Sequence, residues 1–272
     1  MLFRSHYIPA ADDIVAHLAP ALRDAAELYL FVSTISVYRP DGPLPSHEDS
    51  PLVELEDPAV EEVTADSYGG LKVLCERAVE AALPGRTLIV RPGLIVGPDD
   101  YTDRFPYWPR RVAEGGETLA PGDPGRFWQF VDVRDLGAWM VRMVEERRTG
   151  RFNVDGPHRA WTIGDVLETC REVSGSDARF AWVPGEFLLE QGVKPWTELP
   201  FWFPEDEPEL RGAYEVVVDR AVEAGLAWRP LADTVRDTLE WDRSRPEEER
   251  GRRAGLPRER EREVLEAWRR AG

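Results

Sequence analysis

The 272 residues carry 51 acidic against 34 basic side chains, a formal charge of −17, and a surface that acidic repels a phosphate backbone, which argues against nucleic-acid binding. Hydrophobic residues make up 42%, enough for a sizeable core and too many for global disorder. No apolar run approaches the roughly 18–20 residues that span a bilayer, and the opening lacks the charged, apolar, small-residue order of a signal peptide, so a cytoplasmic protein with no membrane partner is expected.

In chain order, "AADDIVAHLAPALRDAA" (10–26) has apolar residues at helical spacing, with Pro20 placed to bend the helix. "LYLFVSTISVY" (28–38) reads as a buried strand that breaks into a polar turn, and 39–63, rich in Pro, Asp and Glu, as a surface loop. A helix is expected over 66–83, ending before Pro84-Gly85, and β structure over 86–98, "RTLIVRPGLIVGP". Helix 134–148, strand 151–156, helix 162–174 and a strand over 178–184 continue the alternation. Strand, helix, strand at this spacing predicts an α/β protein with a parallel, doubly wound sheet. From about 185 the texture changes to Trp, Phe and Pro with little periodicity, which suggests a smaller α+β lobe, and the charge-dense tail from 243 reads as a solvated helix. The domain reading is therefore 6–160 for the nucleotide-binding part, 161–242 mainly for a substrate lobe, and 243–272 for the tail. Cys75 and Cys170 lack metal-type spacing and read as buried free thiols, so no metal site is expected.

Chemistry concentrates in "DSYGGLKVLC" (66–75). Only two lysines occur in the chain, Lys72 and Lys194, and Lys72 falls four residues after Tyr68, one helical turn away and on the same face. A phenol of pKa about 10 is a poor base at neutral pH; a neighbouring ammonium stabilises its anion and lets it exchange a proton with a substrate hydroxyl. Taken alone, the spacing also fits an ordinary amphipathic helix. The second piece is "FVSTISVY" (31–38), where Ser33 and Thr34 end a strand at the place where a doubly wound sheet opens its crevice. These hydroxyls suit a reacting carbonyl or alcohol, and equally a turn that satisfies its own backbone.

With these residues in hand, the chain from about residue 6 onward resembles the extended short-chain dehydrogenase/reductases of the NAD-dependent epimerase/dehydratase family. The resemblance implies a Rossmann-like sheet with a smaller C-terminal substrate lobe, and NAD or NADP as cofactor. It makes Thr34, in Thr34-Ile35-Ser36-Val37-Tyr38, the catalytic hydroxyl, Tyr68 the acid/base, and Lys72 the residue that tunes Tyr68 and holds the nicotinamide ribose. "VRPGLIVGP" (90–98) would bring Pro92 and Gly93 near the nicotinamide, while "QFVDVRDLG" (129–137) and "GRFNVDGP" (150–157) match later landmarks of the fold. Ser33, Ser36 and Arg126 are candidate substrate contacts. The resemblance implies an oxidoreductase or epimerase acting on a hydroxyl or carbonyl of a small molecule, and allows a homodimer through the Tyr68/Lys72 helix. The alternative is a member of the fold that binds or scaffolds without turnover.

Three departures qualify this. Ile35-Ser36 stand where the family's dehydratases have an acidic pair, which disfavours sugar dehydration. Trp128 stands where nucleotide-sugar epimerases usually have an Arg, which disfavours a nucleotide diphosphate sugar; the aromatic stretch Trp196, Phe201, Trp202 and Phe203 suits an apolar or stacking substrate, or plain core. The family pattern also opens with a strand, a Gly-x-x-Gly-x-x-Gly turn that receives the pyrophosphate, and a helix, and no such turn occurs in the 272 residues. About 60–70 residues of the pattern, two to three βα units, are therefore expected to be missing, with residues 1–5 read as a non-native leader, the strand at 28–33 left as a sheet edge, and no appreciable NAD(P)H binding by the chain as it stands.

Overall fold

The computed structural model describes residues 22–204 and 215–271, apart from positions 24, 58 and 61; the helix expected over 10–26 lies largely outside them. In chain order the elements are β1 (Tyr29–Val32), a 3-10 turn (Ile35–Val37), α1 (Ala65–Ala82), β2 (Thr87–Pro92), β3 (Leu94–Val96), α2 (Arg104–Ala113), β4 (Glu117–Pro121), β5 (Phe127–Trp128), β6 (Phe130–Asp132) and α3 (Val133–Glu145). They continue with β7 (Gly150–Val154), β8 (Trp161–Thr162), α4 (Ile163–Ser174), β9 (Arg179–Val183), α5 (Gly185–Glu190), α6 (Asp219–Glu223), α7 (Leu231–Ser244) and α8 (Arg258–Ala271).

The chain divides into two units. The first comprises the described residues up to Leu94, Asp135–His158 and the stretch ending at Ala227. Its sheet is parallel, in the order β1-β2-β7. Val32 pairs with Val90 and Pro92 with Val154, so β2 and β7 end level and β1 ends two residues short of them. All six residues of β2 are buried, as expected of a central parallel strand covered on both faces. The connection from β1 to β2 is α1, whose start is fixed by a reciprocal cap: the Thr64 hydroxyl accepts from the Ser67 N–H at 3.2 Å and the Ser67 hydroxyl accepts from the Thr64 N–H at 2.9 Å. It packs Cys75 and Val79 against Phe31 of β1. Helix α3 sets Trp139 edge-on against Phe152 of β7, ring centres 5.5 Å apart.

The second unit comprises Ile95–Arg134, the stretch from Arg159 and the stretch from Trp228. It holds a parallel pair β4-β9, the short pairs β3-β6 and β5-β8, and three helices, α2, α4 and α7, packed on one another. The aromatic residues read as a substrate lobe are spent largely on its core: Phe201, Trp202 and Phe203 are buried, and Phe201 lies against Phe105, Trp128 and Phe130 with ring centres 5.0–6.1 Å apart. The tail differs from the solvated helix expected. Glu261, Val264 and Leu265 of α8 are buried, and Arg111 of α2 binds the Glu261 carboxylate at 2.7 and 2.9 Å. A run of alternating Arg and Glu hides this, because one carboxylate in the run has a buried cation waiting on another helix.

Candidate active site

Beyond Val32 the ladder continues for one more bond, Ser33 N–H to the Val90 carbonyl at 2.6 Å, and the chain then turns. Thr34 makes the turn. Its backbone is extended, its Oγ1 accepts from the Ser36 N–H at 3.1 Å, and it donates to the Ser36 hydroxyl at 3.2 Å. Thr34 is buried and Ser36 exposed. The buried Ser33 Oγ has no hydrogen-bond partner among the described residues, a cost that a bound polar group would relieve.

Tyr68 and Lys72 are both half-buried, one turn apart on α1. The Lys72 ammonium reaches the end of β1, donating to the Val32 carbonyl at 3.1 Å and lying 5.0 Å from the centre of the Phe31 ring. Burial lowers its pKa from the ordinary 10.5, opposed by Cys75 and Glu76. Lys72 therefore ties the helix carrying Tyr68 to the strand end carrying Ser33 and Thr34. Pro92 ends β2, the neighbouring strand, and Gly93 follows it. A side chain at Gly93 has no room: its Cβ would stand 1.6 Å from the Asp155 carboxyl oxygen. Burial raises the Asp155 carboxyl well above its ordinary 3.8, against the pull of the Gly156 N–H, 2.8 Å away. Arg126 belongs to the second unit, where its guanidinium donates to the Phe203 carbonyl. Trp128, in the same unit, is buried against Trp108 and Phe201.

An ammonium has three N–H donors, and Lys72 commits one of them to the carbonyl of Val32, the residue before Ser33 with its unsatisfied hydroxyl, a donor set compatible with the hydroxyl groups of a dinucleotide. Among the described residues no group of three or more His, Cys, Asp or Glu side chains converges as a metal site, and no helix is long and apolar enough to cross a membrane.

A further set of residues, missed in the sequence reading, lies behind the site. Arg91 of β2 is fully buried and grips Glu76 of α1 with two parallel bonds, Nε to Oε1 at 2.9 Å and Nη2 to Oε2 at 2.6 Å. Its Nη1 donates to the Tyr38 hydroxyl at 2.9 Å and to the Glu48 carbonyl at 3.0 Å. Tyr38 in turn donates to the Asn153 side-chain oxygen of β7 at 2.5 Å, and the Glu48 carboxylate accepts from the Asn153 N–H at 3.1 Å. Two signals pointed here: an Arg inside the apolar run "TLIVRP" must find a partner if the run is buried, and Glu76 extends the four-residue series of Tyr68 and Lys72 by another turn.

The family model for the NAD-dependent epimerases and dehydratases matches residues 10–155, more than half of the chain. Among solved structures, the chain is similar to the UDP-glucuronic acid 4-epimerase of Bacillus cereus in complex with NAD, at 16% identity and a TM-score of 0.58, covering 86% of this chain and 68% of that one. It is similar to the enzyme WbmH of Bordetella bronchiseptica in complex with NAD+, at 17% identity and a TM-score of 0.56, covering 89% and 74%. It is also similar to the dTDP-glucose 4,6-dehydratase of Bacillus anthracis in complex with NAD, at 15% identity and a TM-score of 0.56, covering 91% and 73%. A search of curated protein sequences finds no significant match. At these identities the structural likeness speaks for the fold, and the family match, which spans both the Thr34 turn and the Tyr68-Lys72 helix, speaks for descent: the chain belongs to the NAD-dependent epimerase/dehydratase family.

Proposed function

We propose that the chain carries the reacting end of an NAD(P)-dependent oxidoreductase or epimerase that acts on a hydroxyl or carbonyl of a small molecule. One observation carries the reading: the Lys72 ammonium joins the Tyr68 helix to the Val32 carbonyl, two residues before Thr34. Thr34 holds the substrate oxygen by hydrogen bonding. Tyr68 takes the proton from a substrate hydroxyl, or gives it to a carbonyl oxygen, and the Lys72 charge stabilises the phenolate formed. A nicotinamide, when bound, supplies the hydride acceptor or donor at the adjacent carbon. Lys72, with Pro92 and Gly93 at the end of the next strand, is assigned to holding that ring and its ribose. The place of Trp128 in an aromatic core supports a substrate other than a nucleotide diphosphate sugar.

The test is turnover by the full chain with NAD+ or NADP+ and a panel of secondary alcohols, followed at the absorbance of the reduced dinucleotide. Millimolar dinucleotide is used because the sequence has no Gly-x-x-Gly-x-x-Gly turn. Tyr68→Phe is expected to lower the rate by about 10²–10⁴-fold. Turnover that survives Tyr68→Phe removes the reading. A dinucleotide that quenches the tryptophan fluorescence at micromolar concentration without turnover favours the non-catalytic binding module.

A further inference from the structure

We propose that Arg91 is a positioning residue: its guanidinium sets the Thr34 turn against the helix that bears Tyr68 and Lys72. The inference rests on the reading of Thr34, Tyr68 and Lys72 given above.

The donors of a planar guanidinium lie in one rigid fork, and here the fork is divided between elements. Two bonds go to Glu76, one turn beyond Lys72 on the same helix. The Nη1 group goes to Tyr38, which closes the 3-10 turn that Thr34 opens, and to the Glu48 carbonyl in the loop beyond. The five-residue turn is thus pinned at both ends. At its start Thr34 follows the last ladder bond of β1; at its finish Tyr38 is fixed by Arg91 on one side and by Asn153 of β7 on the other. At that end Tyr38 also forms a single antiparallel bridge with Leu52, the Val53 N–H donating to the Val37 carbonyl and the Arg39 N–H to the Pro51 carbonyl.

Stability alone is a poor account of this arrangement. A buried ion pair repays its desolvation only with excellent geometry, and well-packed apolar residues of similar volume often serve as well or better. Apolar residues, however, do not fix where a hydroxyl sits relative to a helix face. The fork does, because its bonds are directional and each lies within 2.6–3.0 Å. The elements it joins are those that carry the candidate catalytic groups: the turn of Thr34, the helix of Tyr68 and Lys72, and β2, which ends at Pro92.

The test uses the full chain without substrate or dinucleotide, so it fails or succeeds independently of the turnover assay. Tyr38→Phe detaches the turn from the guanidinium while leaving the Arg91–Glu76 pair and the ring in place. Arg91→Lys keeps the charge beside Glu76 and removes the fork. Amide hydrogen exchange, read residue by residue, is expected to quicken by tenfold or more at residues 36, 38 and 39 in both variants. Exchange in α1 and β2 should stay within twofold. The Thr34 χ1 rotamer, read from three-bond couplings of its methyl group, should pass from one state to an average. Unchanged exchange and an unchanged Thr34 rotamer in Tyr38→Phe would overturn the proposal. So would an equal acceleration throughout the turn, α1 and β2, which is the mark of a merely structural role.

Discussion

Tyr38 shows how a single side chain reports on its surroundings. Burial pushes its phenol up from 10.0 to about 12, with Arg91 pulling the other way. A phenol whose pKa is higher in the fold than in the unfolded chain contributes stability that is fully present below the unfolded value and is lost as pH rises through the folded one. The window is therefore pH 10 to about 12. In Tyr38→Phe the fall in urea midpoint across that window is expected to be shallower than in the unsubstituted chain. An equal alkaline slope in both chains would show that Tyr38 ionises freely. The candidate catalytic residues Thr34, Tyr68 and Lys72 were legible one by one, because spacing on a helix and position after a strand are local properties. Arg91 was legible only as an oddity, since its partners lie 15, 43 and 53 residues away in the chain.

At the scale of elements, α1 meets the Thr34 turn at a glycine. A Cβ on Gly69 would stand 2.1 Å from the Ser36 carbonyl oxygen, whereas one on Gly70 would stand 2.5 Å from the Leu55 side chain. The first obstacle is backbone, and the second is Cγ and Cδ2 of a half-buried leucine, which can turn aside about its χ1. Alanine gains about 1 kcal/mol of helix propensity over glycine at either position. Gly69→Ala should nonetheless lower the melting temperature and push α1 away from the turn, while Gly70→Ala should be close to neutral. Thermal denaturation of the two variants decides this, and equal melting temperatures would contradict the contact. The helix itself follows from sequence, through the Thr64–Ser67 cap and the stop before Pro84-Gly85. Helix α2 does not, because Pro106 and Pro109 argue against it; buried Phe105, Trp108 and Val112 outweigh them.

At the scale of the whole molecule, the tail sets buried and exposed charge side by side. Glu261 takes Arg111, the Leu119 N–H and Arg258, and its own side chain is fully buried, whereas Glu263 pairs with Arg260 at the surface. Removing one partner of a buried pair strands the other, so Glu261→Ala should cost about 3–5 kcal/mol, and Glu263→Ala no more than about 1 kcal/mol. Chemical denaturation of the two variants tests this, and similar losses would mean that α8 is held by its apolar contacts alone.

The sequence by itself determined the alternation of strand and helix, the parallel sheet, the family, and the placing of the candidates Thr34 after a strand and Tyr68 and Lys72 one turn apart on a helix, because periodicity, caps and short spacings act within one element or between neighbours. Only the tertiary structure decided which charges are buried, that the aromatic stretch is mainly core, that α8 belongs to a packed unit, and that one guanidinium joins the turn to the helix. Those outcomes depend on which distant groups meet once water is excluded, and an unpaired charge or a misplaced Cβ has its cost only there.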